Sequence, residues 1–140
     1  MLHKRILPIF ILCLFCISSL TACSCMQDIS LEQRFSMATQ IFIGTAVDVT
    51  VDDHQMIRRV IFHVEENFKG KISPTGFISI VTDTMESACG LTIEKNEKWQ
   101  IWADKSYEFP NQLEASYCSA STKNIQQNLT FLRKQFSLAK

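Results

Sequence analysis

The sequence predicts a mainly β domain of five short strands with a helix at each end. Three observations predict it. Residues alternate between apolar and polar across 56–64 and again across 98–103, the period of a half-buried strand. Short runs of β-branched and aromatic residues recur between turn-forming clusters. Apolar side chains at three- and four-residue steps appear near the start and at the end of the chain, as on one face of a helix.

Taken in order, Ser30-Leu31-Glu32-Gln33 opens the first helix. Ser30 can cap it and Gln33 can complete a capping box; Leu31, Phe35 and Ala38 share a face, and the helix is expected to end near Thr39. Gln40 to Val51 reads as a strand with Gly44 inside, where a glycine marks a bulge or bend. Asp52-Asp53-His54 is a turn. The next strand alternates from Met56 to Val64, with Val60, Phe62 and Val64 expected to point inward, and Phe68-Lys69-Gly70 closes it. Phe77 to Thr82 is a third strand, and Thr84 to Gly90 is a small-residue loop holding Cys89. Lys98 to Ala103 puts Trp99 and Ile101 on one face and Trp102 on the other. Gln112 to Cys118 is expected to form the last strand. Ser121 or Thr122 is expected to cap a final helix carrying Ile125, Leu129, Leu132 and Phe136. Five short strands with terminal helices suit a closed or nearly closed barrel of the OB type, a sandwich being the alternative.

Residues 1–22 read as a secretory signal. Lys4 and Arg5 precede a 12-residue apolar stretch from Ile6 to Ile17, too short to span a bilayer comfortably, and a short run of small residues ends at Ala22. Residues 23–140 then form one domain. Without Lys4 and Arg5 the 14 basic residues become 12 against 14 acidic ones, a net of −2. A near-neutral chain without a basic run argues against a nucleic-acid partner.

Cys13 and Cys16 leave with the leader, so four of the six cysteines remain: Cys23, Cys25, Cys89 and Cys118. An even count in a small exported domain reads as two disulfides, with three possible connectivities. A zinc site would want paired Cys or His at ligand spacing, and Cys89 and Cys118 stand alone in the chain. No catalytic constellation stands out. His54 and His63 are the histidines beyond the leader, in a turn and on a strand; a Gly-x-Ser-x-Gly elbow, a His-Glu-x-x-His pair and a phosphate-cradling loop are all missing. The chain is therefore expected to be no enzyme and to need no cofactor.

Several strings occur in a telling order: Cys23-Ser24-Cys25 directly after the leader, Phe42-Ile43-Gly44-Thr45, Phe68-Lys69-Gly70, Met85-Glu86-Ser87-Ala88-Cys89-Gly90, Trp99-Gln100-Ile101-Trp102-Ala103 and Cys118-Ser119. Together with Leu129, Arg133 and Phe136 they resemble the N-terminal, netrin-like domain of the tissue inhibitors of metalloproteinases, as a single-domain member of bacterial type. The Met-Glu-Ser-Ala-Cys-Gly run is the most specific piece. Met26-Gln27-Asp28-Ile29 stands where the animal inhibitors carry a proline-rich segment. The resemblance implies bridges Cys23 to Cys89 and Cys25 to Cys118. It implies that the α-amine and carbonyl oxygen of Cys23 chelate the catalytic zinc of a metallopeptidase, that Ser24 points into the specificity pocket, and that Ser87 and Ala88 fill the other side of the cleft. The only metal expected at Cys23 is thus the target's.

Leu20-Thr21-Ala22-Cys23 also resembles a lipobox. A lipidated Cys23 would tie the chain to a membrane as an envelope lipoprotein, its thiol and amine consumed and Cys89 left unmatched. The even cysteine count favours the free end. The expected location is secreted or periplasmic, with a membrane partner only if Cys23 is lipidated.

Overall fold

The computed structural model describes residues 23–25 and 28–138; the leader expected at 1–22 lies outside them. Over the described residues the structure is mainly β, a five-stranded mixed sheet with two α-helices. Helix α1 (Leu31–Met37) is followed by strands β1 (Gln40–Asp52), β2 (Ile57–Lys69), β3 (Phe77–Asp83), β4 (Lys98–Lys105) and β5 (Leu113–Glu114), and then by helix α2 (Leu129–Leu138). A single 3-10 turn, Glu86–Ala88, sits between β3 and β4. The strands pair in the order β1-β2-β3-β5-β4, and β4 pairs back onto β1. All pairs are antiparallel except β3 with β5.

Helix α1 starts as expected. The Ser30 hydroxyl accepts from the Gln33 N–H at 3.2 Å, and the Gln33 side chain accepts from the Ser30 N–H at 2.8 Å. At its other end the Lys69 ammonium donates to the Phe35 and Ser36 carbonyls, the latter at 2.9 Å, placing a cation where the helix dipole favours one. The β1–β2 ribbon is long and irregular, with register shifts at Ile41/Phe42, Ile43/Gly44 and Ala46/Asp48. Gly44 lies at the second; a Cβ there would sit 2.6 Å from the His63 carbonyl oxygen, so the strands approach this closely only because the residue is glycine.

Alternation along β1 and β4 divides the apolar side chains into two cores. Phe42, Ala46, Val60, Phe62, Ile80, Leu91, Trp99 and Ile101 pack in one. Ile41, Ile43, Phe68 and Trp102 turn to the opposite face and pack with Leu129 and Leu132 of α2, with Leu31 and Phe35 of α1 against them. Phe35 joins the two helices to the sheet, its ring edge-on to Trp102 at 6.4 Å and to Phe131 at 5.8 Å. Both helices thus cover one outer face, and the division of Trp99 from Trp102 follows from the period of two.

Two sequence expectations are corrected. The last strand is two residues long rather than Gln112 to Cys118. The Ala115 N–H still donates to Val81 of β3, but beyond it the backbone finds other partners: the Tyr117 N–H donates to Cys89 and the Ser119 N–H to Ser116, so the chain curls into a turn toward the cysteines. The final helix begins at Leu129 and not after Ser121 or Thr122. Thr122 instead exchanges both backbone hydrogen bonds with Gln100 on β4, and the Ser121 hydroxyl accepts from the Trp102 N–H at 2.8 Å. Asn128, at φ 62°, sets the turn from which α2 departs. Ile125 precedes that helix and still packs on the second core, whereas Phe136 is 39% exposed.

Candidate functional site: a doubly bridged N-terminal segment

Cys23-Ser24-Cys25 is held by two disulfides, Cys23 to Cys89 and Cys25 to Cys118. The Cα separation is 5.1 Å in each, within the normal range for a bridge. Each partner cysteine is itself fixed locally. Cys89 ends the 3-10 turn in a left-handed conformation, φ 65°, with its N–H donating to the Glu86 carbonyl at 3.0 Å. Gly90, the next residue, is pressed against β3 and donates its N–H to the Met85 carbonyl at 3.0 Å. The Asp83 carboxylate accepts from the Met85 N–H at 2.7 Å, which anchors the start of the same loop. Cys118 lies in the turn after β5; its N–H donates to the Ser116 hydroxyl at 3.2 Å, and its carbonyl accepts from the Arg34 guanidinium of α1. A 2.9 Å hydrogen bond from the Tyr117 N–H to the Cys89 carbonyl ties the two cysteine loops together.

The four sulfurs form one cluster, all within 4.8 Å of one another. Cys118 Sγ lies 3.5 Å from Cys89 Sγ and 4.0 Å from Cys23 Sγ, so the two bridges are in van der Waals contact. The four cysteines are half-buried, whereas Ser24, Ser87 and Ala88 are exposed. The residues singled out from the sequence therefore sit around one cluster, with Ser24 between the two bridged cysteines and Ser87-Ala88 directly before Cys89.

Beside Ser24 and Cys25 lies a cavity of about 430 Å³, lined among others by Arg34, Met37, Trp102, Tyr107 and Cys118. Sequence reasoning missed it. Its walls come from α1, β4 and the loops on either side of β5, and no linear pattern links them. Asp104 also lines it and accepts from the Thr39 N–H at 3.2 Å. Partial burial pushes the Asp104 carboxyl above the ordinary range, opposed by the Thr39 hydrogen bond and the charge of Lys69. The histidines do not join this region: His54 is exposed in the β1–β2 turn, and His63 is exposed on β2 with its ring 5.4 Å from that of Phe77.

Two bridges of this kind persist in an oxidising compartment. Among the described residues no helix is long and apolar enough to cross a membrane. The chain matches no protein-family model, and no curated protein matches it.

Proposed function

We propose that this protein is an exported inhibitor of zinc metallopeptidases, built on an OB-type, netrin-like barrel and acting through Cys23. The barrel reading is supported by the ring of strand pairings, β1-β2-β3-β5-β4 and back to β1. The observation that carries the functional reading is the double clamp on Cys23-Ser24-Cys25. Cleavage after Ala22 would turn the Cys23 nitrogen into a primary amine on the same residue as a carbonyl that the bridge would hold still. An amine and a carbonyl oxygen on one residue form a five-membered chelate with a metal. A catalytic zinc keeps an open coordination position for water or substrate, and such a chelate would displace that water. The amine donates only when deprotonated; with an ordinary α-amino pKa of about 7.7–8, that costs little near neutral pH. Clamping by two bridges lowers the ordering cost of binding. Exposed Ser24, Ser87 and Ala88 would supply the contacts on either side of the zinc.

The test is a comparison of two forms against a panel of zinc peptidases, one beginning at Cys23 and one with a single alanine before it. The native form is expected to inhibit at least one of them, more tightly at pH 8 than at pH 6, and the extended form to lose at least about a hundredfold in affinity. Equal inhibition by the two forms, or none by the native form, overturns the proposal.

A second reading rests on Leu20-Thr21-Ala22-Cys23, which fits lipidation. It makes the protein a bridged cell-envelope module anchored through Cys23, with no inhibitory role. The intact mass of the mature protein separates the two: a diacylglyceryl, N-acylated Cys23 would leave Cys25 to Cys118 as the remaining bridge.

A further inference from the structure

We infer that the four cysteines are a redox-exchangeable metal site: when both bridges are reduced, Cys23, Cys25, Cys89 and Cys118 bind one zinc ion as a tetrathiolate. The inference rests on the sulfur cluster and does not depend on the inhibitor reading. A tetrahedral zinc with Zn–S bonds of about 2.3 Å places its sulfurs about 3.8 Å apart. Two of the non-bonded separations already match this, 3.5 Å for Cys118 to Cys89 and 4.0 Å for Cys118 to Cys23. No pair exceeds 4.8 Å, so the non-bonded pairs need to close by about 1 Å at most. From an ordinary disulfide length of about 2.05 Å, each formerly bonded pair must open by slightly less than about 2 Å. That is within reach of χ1 and χ2 adjustments at Cα separations of 5.1 Å.

The supporting structure is that of a built site. The ligands come from three segments. The 3-10 turn before Cys89 and the Ser116–Ser119 turn are each held by backbone hydrogen bonds, and the Cys23–Cys25 stretch supplies two ligands two residues apart. The sulfurs are half-buried, and Cys25 and Cys118 open onto the 430 Å³ cavity, which gives an ion a way in. A zinc tetrathiolate carries a net charge of −2. The Arg34 guanidinium, hydrogen-bonded to the Cys118 carbonyl, is a cation placed to offset it. Sequence spacing argued against zinc because Cys89 and Cys118 have no close cysteine neighbour in the chain. Folding supplies the neighbours that the chain order withholds.

The chemistry balances with a phosphine as reductant. Each bridge takes two electrons and two protons and becomes two thiols, while each phosphine takes an oxygen atom from water. The metal then displaces four protons and receives four sulfur lone pairs. Reoxidation is not needed for the test.

The experiment titrates the phosphine-reduced protein with Co(II) and then Zn(II), alone and without other ligands, under anaerobic conditions. One equivalent of Co(II) is expected to give the visible ligand-field bands of a tetrahedral thiolate complex and sulfur-to-cobalt charge transfer of four-thiolate intensity. Zn(II) should bleach both, and the zinc-bound protein should keep the dispersed amide spectrum of a folded chain. The oxidised protein is expected to show no such bands. In the reduced Cys89→Ser variant the charge-transfer intensity should fall by about a quarter and cobalt affinity by at least about tenfold. A reduced chain without tetrahedral thiolate bands overturns the inference. So does a tetrathiolate spectrum on a chain whose amides have lost their dispersion, because the ligands would then not be the folded cluster.

Discussion

Gly90 lies so close to Asp83 that a Cβ on it would stand 2.1 Å from the Asp83 carbonyl oxygen and 2.9 Å from that of Met85. Both obstacles are backbone, so neither can swing aside. The contact seats the loop that delivers Cys89 to Cys23. Gly90→Ala should therefore cost about 1–3 kcal/mol through overpacking and should lower the yield of correctly paired Cys23–Cys89. Gly76→Ala is the control. It meets nothing within 4 Å and suffers only its φ of +75°, so it should cost about 1–2 kcal/mol and leave both bridges intact. Urea unfolding together with peptide mapping of the non-reduced protein measures both effects.

Gln100 is fully buried and fully used. Its carbonyl accepts from the Trp102 indole N–H at 2.9 Å, and its amide donates to the Gln127 carbonyl at 2.8 Å and the Ile125 carbonyl at 3.2 Å. Gln100→Leu keeps the volume but strands one buried donor and two acceptors. At about 1–3 kcal/mol for each group left dry, less what water recovers at the edge, the expected loss is roughly 2–4 kcal/mol. Because Ile125 and Gln127 lie in the segment that leads into α2, amide exchange across α2 should speed up more than exchange in β1 and β2.

These two sites mark the boundary of what the chain order reveals. The capping box of Ser30 and Gln33, the irregularity at Gly44 and the opposed faces of Trp99 and Trp102 each depend on residues a few positions apart, and all three were legible. The shortness of β5 was not, because it is decided by Cys89 and Ser116, whose carbonyls take the Tyr117 and Ser119 N–H groups that a longer strand would have used. The late start of α2 was hidden for the same reason: Thr122 looks like a cap until Gln100 claims its backbone. At the site, the cysteines and Ser24, Ser87 and Ala88 could be picked out as letters. The contact between the two bridges, the Arg34 hydrogen bond and the cavity depend on separations of tens of residues, which no local pattern encodes.

Acid should weaken the fold through Glu97. Burial alone would raise its carboxyl pKa, but the Lys123 ammonium at 2.5 Å, the Glu94 N–H at 2.9 Å and the Trp99 indole N–H at 3.0 Å together hold it below the ordinary value. A carboxyl with a lowered folded pKa contributes stability that is fully present above its unfolded pKa and is lost as pH falls through the folded one. Glu97→Gln should thus be less stable than the parent at pH 7, and the gap should close as the pH is lowered below about 4. Glu97 is 24% exposed and Lys123 55%, so the gap at neutral pH is expected to be at most about 1 kcal/mol. Denaturant midpoints of the two proteins from pH 7 to pH 3 provide the check.

The two bridges differ in sequence separation, 66 residues for Cys23–Cys89 and 93 for Cys25–Cys118, yet they should contribute equally. With either one in place, the other closes the same ring, because the shorter path runs across the first bridge. That path covers the two steps from Cys23 to Cys25 and the 29 from Cys89 to Cys118. A ring of about 31 residues corresponds to a loop-closure contribution of about 3–4 kcal/mol. Paired alanine replacements are the suitable variants, since a single replacement would leave a thiol beside the surviving bridge, with Cys118 Sγ only 3.5 Å from Cys89 Sγ. Cys23→Ala/Cys89→Ala and Cys25→Ala/Cys118→Ala should each lose about 3–4 kcal/mol in denaturant unfolding, with the two losses nearly the same. A large inequality would assign the difference to contacts in the folded state. A larger loss for the Cys25/Cys118 pair would point to the Arg34 hydrogen bond on the Cys118 carbonyl, and Arg34→Ala in the fully bridged protein would then account for it.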